Sequence, residues 1–432
     1  MASPLFQCHP MDTKPLSQDL LDLIPNEIYD SIISHISSTS ALKNCSLTCK
    51  AWLQASWKNL FSRRTIVVDC NNFEAFLQLI ELDTQSITII RYIRFLHIEQ
   101  GDSRLLYRST GPRNPQSFQF DDFLPRFVGL ASVKTLELGW IRQDIGPTTI
   151  SALRNNFGGV SALELNSVVL PAAGQLLDIL LSFPSLSSLT LAGVQISRCS
   201  DEPYNSNYKW DQTVLSQHAP PKLTELSCNL PRDETIFIFS WLTAHGISSI
   251  RKLTVTLIHE SSNIAISGYL LEFGLALEEL TIGNVTQIIP QRFDLSPCTN
   301  LTKLAISIEY RISSSAFSME VPPKDIFVPL FDILDTVSTD HLEEVKIRLR
   351  PNGHLTEEDY SLFDWEGLAL VVKHPRFANN GNRERTKFKL VAPWKHYDAV
   401  RRVVRRNISG VDSELGDVIR VGGWGGPKRM MH

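Results

Sequence analysis

Residues 160–194, VSALELNSVVLPAAGQLLDILLSFPSLSSLTLAGV, contain one complete structural unit and the start of the next. Val160, Leu163 and Leu165 follow an apolar-x-x-apolar-x-apolar pattern, whose last two members alternate with the period of a strand that buries one face. Residues 171–183 read as a helix opened by Pro171. The strand pattern then returns at Leu186, Leu189 and Leu191. One strand with one return segment cannot bury its own apolar face, so such units must stack on copies of themselves.

The pattern recurs in both directions. It appears as Ile93-Leu96-Ile98, Val133-Leu136-Leu138, Leu223-Leu226-Cys228, Ile250-Leu253-Val255, Leu277-Leu280-Ile282, Leu301-Leu304-Ile306 and Leu342-Val345-Ile347. Most successive units are 24–27 residues apart, a spacing similar to that of leucine-rich repeats. That resemblance implies a parallel, curved solenoid with strands on one face and helices behind, and 234–245 reads as a second such helix. A β-sandwich is the rival, but hairpin signals such as Asn-Gly are missing between the strands. The longer gaps locate insertions at 99–124 and 197–220, rich in Ser, Asn, Pro and Gln, and a Pro-rich stretch at 318–329. Where the family often carries an asparagine or cysteine, this chain has Ile141, Val168, Val194 and Val285. The strand ends must therefore satisfy their backbone groups without an asparagine ladder.

Ahead of the repeats, LIPNEIYDSIISHI (23–36) reads as a helix, with Pro25 in its first turn and Glu27 at the positive start. Ile28, Ile32 and Ile36 form a stripe that Tyr29 and Ile33 widen. Ser40 is placed to cap a second helix carrying Leu42 and Cys45. A third follows in LTCKAWLQASWKNLF (47–61). Three short helices with surplus apolar surface suggest docking into a partner's groove, with a cap sealing the repeats as the alternative. The order Leu23-Ile24-Pro25-x-Glu27-Ile28, Ile32-Ile33, Ala41-Leu42, Ser46-Leu47-x-Cys49-Lys50-x-Trp52 resembles an F-box. It departs in Ile24 before the proline and in Leu47-Thr48-Cys49. The resemblance implies an intracellular, cytoplasmic or nuclear adaptor that docks on a Skp-family linker of a cullin–RING ubiquitin ligase. Carried over by position, the linker-binding set is Pro25, Ile28, Ile32, Ile33, Leu42, Leu47 and Trp52, some of which must hold the helices together.

The expected organisation is a disordered tail at 1–19, the helical module at 20–61, an α/β solenoid at 62–392, and a basic helix with a glycine-rich tail at 393–432. Composition fits a soluble globular protein of 432 residues, 43% hydrophobic and nearly balanced in charge at −4. No run reaches the length of a membrane span, and MASPLFQCHPMDTK lacks the apolar core of a secretory signal. The seven cysteines are odd in number and never spaced C-x-x-C, which favours small buried side chains over disulfides or zinc. Walker, G-x-S-x-G, H-E-x-x-H and G-x-G-x-x-G motifs are absent. A non-catalytic chain without metal or cofactor is expected.

On the strands, the residue between the last two apolar positions should face the open side. That column reads His97, Glu137, Glu164, Thr190, Ser227, Thr254, Thr281, Ala305 and Lys346, with Arg348 beside its end. It is acidic at the start, hydroxyl-bearing in the middle and basic at the end, and is the candidate surface for a protein client, which the sequence leaves unidentified. Residues 373–432 carry a net +9, with Arg401, Arg402, Arg405 and Arg406 on one helix. This block either grips nucleic acid or acidic membrane, complements the acidic body, or seals the last repeat. No aromatic interleaving accompanies it, which makes nucleic acid the weaker reading. A non-ligase scaffold is the other alternative to an adaptor.

Overall fold

The structure is a computed structural model that describes residues 24–83, 89–100, 119–142, 145–197, 219–257, 259–285, 293–311, 323–352, 355–377, 386–407 and 419–424. The expected tail at 1–19, most of both long insertions and much of the Pro-rich stretch lie outside them, as do Leu23, Cys8 and Cys199. The chain divides at Arg64/Thr65 into two compact units.

Among the described residues the first unit contains three helices, α1 (Asn26–Ser34), α2 (Thr39–Ser46) and α3 (Lys50–Ser62). Pro25 stands just before α1, where its missing N–H costs no hydrogen bond, and Glu27 sits in the first turn. Ser38, not Ser40, caps α2 by accepting from the Ala41 N–H at 3.4 Å. Both α1 and α2 pack on α3. Their shared core is Ile33, Leu42 and Ala55, with Ile36, Cys45, Trp52 and Leu60 packed around it. Arg63 donates to the Ser34 carbonyl at 2.9 Å, and Lys58 pairs with Asp30 at 2.5 Å, tying α3 to α1.

The second unit begins with β1 (Thr65–Val68), α4 (Phe73–Asp83), β2 (Phe95–Glu99), α5 (Phe120–Phe123), β3 (Thr135–Gly139), α6 (Pro147–Asn156) and β4 (Ala162–Asn166). Next come β5 (Val169–Leu170), α7 (Ala173–Leu181), β6 (Ser188–Ala192), β7 (Gln195–Ile196), β8 (Glu225–Asn229), α8 (Arg232–Ala244), β9 (Lys252–Thr256) and α9 (Glu260–Phe273). The unit continues with β10 (Glu279–Val285), β11 (Lys303–Arg311), α10 (Val328–Thr336), β12 (Glu344–Asn352) and α11 (Glu357–Ser361). It closes with α12 (Trp365–Lys373), β13 (Lys387–Pro393), α13 (Tyr397–Asn407) and β14 (Ile419–Trp424).

Twelve strands form one open parallel sheet whose spatial order is the chain order, with β5 and β7 paired in a small second sheet. Each connection therefore steps one place in the same direction, without the reversal of a doubly wound sheet. The apolar triplets explain this. In β3, β4, β6 and β8 the buried side chains are Leu136/Leu138, Leu163/Leu165, Leu189/Leu191 and Leu226/Cys228, while their neighbours on the other face, Gly139 apart, stay at least partly exposed. Among the described residues one face of these strands is covered, so the described return segments lie on it. The first apolar residue of each triplet, such as Val133, Val160 or Leu301, is also buried and turns the chain into the strand. At Gly159 the repeats approach closely: a Cβ there would overlap the Ala131 carbonyl oxygen at 1.9 Å.

The sheet runs further than the repeat pattern. β1 precedes the first apolar triplet, and β14 pairs with β13 beyond residue 392. Gly422 and Gly423, expected in a flexible tail, belong to that last strand. The strand ends dispense with an asparagine ladder by hydrogen-bonding backbone to backbone. The Trp140, Ser167 and Gly193 N–H groups donate to the carbonyls of Asn166, Ala192 and Asn229 in the next unit, at 2.9, 2.7 and 2.9 Å. Ile141, Val168, Val194 and Val285, which stand where the ladder would be, are buried core.

Candidate functional site

The helical unit sorts the seven expected docking residues by where they point. Ile33 and Leu42 are 0% and 3% exposed and form its core, so they are not presented to a partner. Trp52 is half-buried against the same core. Pro25, Ile28, Ile32 and Leu47 face outward, with Ile28 and Ile32 about half exposed at 49% and 50% and Leu47 at 84%. The unit thus closes a small core while leaving three large aliphatic side chains in water. A side chain of this size gains about 1.5–3 kcal/mol when fully covered.

On the solenoid-like unit, strand register assembles the second surface. His97, Glu137, Glu164, Thr190, Ser227, Thr254, Thr281, Ala305 and Lys346 are successive Cα partners across β2 to β12, one continuous row. Arg348 stands on the same face, two residues further along β12. The row continues through Lys389 and Arg420 on β13 and β14. Sequence reasoning missed these two cations. Extending the column through TKFKLVA and VIRVGG would have reached them, but neither segment carries the leading apolar residue of the triplet.

The acidic end has a defined geometry. The His97 imidazole lies between two carboxylates, with Nε2 3.2 Å from Glu99 Oε1 and Nδ1 3.3 Å from Glu137 Oε2. Glu164 is held above the usual carboxylate range, chiefly by burial and then by the Glu137 charge, with His97 opposing. Beside this row runs another in which charge cancels. Lys252 pairs with Glu225 at 2.9 Å and Lys303 with Glu279 at 2.7 Å. Lys389 reaches across to Glu344. Among the described residues no ion pair engages Lys346, Arg348 or Arg420. Burial, and then the charge of Arg350, holds the Arg348 guanidinium below its ordinary value.

The basic helix α13 packs into the array. Val400, Val403 and Val404 are buried, and Arg402 and Arg406 both pair with Glu357 of α11, at 2.7 and 2.9 Å. Arg401 and Arg405 remain exposed. The cysteines depart from the expectation of burial: Cys228 and Cys298 are buried, Cys45 is intermediate, and Cys49 and Cys70 are exposed. No group of three His, Cys, Asp or Glu among the described residues is arranged to hold a metal ion. None of the described helices is long and apolar enough to cross a membrane. No protein-family model matches the chain, and no curated protein matches it.

Proposed function

We propose that this chain is an F-box-type adaptor. Its helical unit docks on a Skp-family linker of a cullin–RING ubiquitin ligase, and its leucine-rich-repeat-like unit holds a protein client on the open strand face. The observation that carries the reading is the outward set Pro25, Ile28, Ile32 and Leu47 on a unit whose core closes without them. Aliphatic side chains at this density on a small helical unit suit a helix-in-groove partner. The F-box resemblance of residues 23–52 names the kind of partner.

The mechanism is proximity. Holding a client near a ubiquitin-charged enzyme raises its effective concentration without the adaptor making or breaking a bond. Co-expression with a Skp-family linker tests the proposal. The intact chain should retain the linker through purification, and Ile28→Asp with Ile32→Asp should lose it. An intact, folded chain that retains no linker would refute the adaptor reading.

A further inference from the structure

Two blocks of like charge occupy opposite ends of the open strand face. On β2–β4, Glu99 and Glu137 flank His97, and Glu164 stands next to Glu137 in the row. On β12–β14, Lys346, Lys389 and Arg420 stand in one row, with Arg348 beside them. Register sets Glu137 opposite Glu164, Lys346 opposite Lys389, and Lys389 opposite Arg420. Neighbouring strands are about 4.8 Å apart, and like charges directly opposite one another destabilise a sheet. Elsewhere on the same face the chain cancels charge, as in Glu225 with Lys252 and Glu279 with Lys303. Within the blocks the cancellation is partial: Lys389 reaches Glu344 and the His97 ring lies between Glu99 and Glu137, whereas Lys346, Arg348, Arg420 and Glu164 have no ion pair among the described residues. Each end therefore keeps a surplus of one sign, which a ligand of opposite charge would offset.

The ground between them is small and polar. Thr190, Ser227, Thr254, Thr281 and Ala305 separate the blocks, and a shallow depression of about 180 Å³ lies over β6 to β10. Hydroxyls there can meet the backbone of an extended chain, and no bulky side chain in this row bars its path.

We infer that this face binds one extended peptide segment of bipolar charge, with Lys or Arg over β2–β4, Asp or Glu over β12–β14, and small residues between. The order of strands puts β4 and β12 six steps apart. At about 4.8 Å per step the separation is about 29 Å, which an extended chain covers in about nine residues. The inference rests on the open face being the client surface, and it is independent of what the helical unit engages.

Fluorescence anisotropy with the recombinant full chain tests it. The probe is a synthetic peptide with a lysine cluster, a Gly/Ser spacer of about nine residues and an aspartate cluster. It should bind at least about tenfold more tightly than a peptide of the same composition with alternating charges, or one with a spacer of about three residues, and the advantage should shrink as salt rises. The variant Glu137→Lys with Glu164→Lys should lose the bipolar peptide and gain one with aspartates at both ends, an exchange that unfolding cannot produce. Equal affinity for the alternating peptide, or unchanged selectivity in the double variant, overturns the inference. Linker capture is scored on the same preparations. Its loss beside retained peptide selectivity counts against the adaptor reading alone, and its retention without selectivity overturns this inference alone.

Discussion

Ile32 and Ile33 are consecutive in α1, yet Ile32 is 50% exposed while Ile33 is 0% exposed. A helix turns about 100° per residue, so neighbours in sequence leave the axis in different directions. Ile33→Ala should destabilise the helical unit by about 2–4 kcal/mol through lost burial and a residual cavity. Ile32→Asp should leave its stability within about 0.5 kcal/mol, as surface changes generally do, and remove linker capture. Urea denaturation beside a co-purification assay separates the two effects. Unfolding of the unit by Ile32→Asp would place that side chain in the core instead.

Glu164 faces Glu137 across β3 and β4, and its carboxyl is raised by burial first and by that neighbour second. A raised carboxylate binds its proton more tightly in the folded state than in the unfolded one. Stability therefore falls as pH rises from the unfolded value near 4.5 through the higher folded value, and stays reduced at neutral pH. Glu164→Gln should raise the denaturation midpoint at pH 7 by the equivalent of less than about 1 kcal/mol, given the solvent screening at this partly exposed site. The gain should vanish at acid pH, where both forms are neutral. A variant equally stabilised at both pH values would rule out the charge as the cause.

The basic helix offers a test of the opposite sign. Glu357 is held below its usual range, first by the hydrogen bond from Arg402 and also by the charges of Arg402 and Arg406, with desolvation opposing. A depressed carboxylate stabilises the fold above its unfolded value, and the contribution is lost as pH falls through the folded value. Glu357→Gln should lower the melting temperature slightly at neutral pH and low salt. Because the pair is exposed, added salt should erase most of that difference. A salt-independent loss would mean that packing of α11 against α13 carries the effect.

The parallel sheet was legible because each apolar triplet specifies the same buried face, from Leu96 through Val345. The edges were not. β1 has Arg63 where a triplet would place its leading apolar residue, and β14 contains Gly422 and Gly423, which have weak strand preference. Both are held by the ladder of a neighbouring strand, a tertiary influence that local sequence does not display. The proposed docking surface was half legible. Periodicity found the isoleucines of α1, but the contact with α3 decides that Ile33 turns inward and Ile32 outward. Likewise, register alone brings Lys389 and Arg420 into line with Lys346.

One repeat position is left-handed. Trp140, Ser167, Gly193 and Asn284 have φ of 56°, 56°, 62° and 53°, each just before a buried aliphatic residue. The left-handed turn lets Ile141, Val168 and Val194 re-enter the core directly after the strand, and Val285 at the end of β10, where the register with β11 shifts. For a residue with a Cβ this conformation costs about 1–2 kcal/mol, and glycine escapes the penalty. A Cβ on Gly193 would meet nothing closer than 3.7 Å, so the cost of Gly193→Ala is conformational rather than steric crowding. That variant should lose about 1 kcal/mol in chemical denaturation. Ser167→Gly should move the other way by somewhat less than about 1 kcal/mol, because the freer unfolded chain offsets part of the relief. Opposite signs at equivalent positions of adjacent units would isolate the backbone term, since each N–H makes the same kind of bond to the next unit. A neutral Gly193→Ala would mean that the turn after β6 relaxes out of the left-handed region, and that the repeat does not require it.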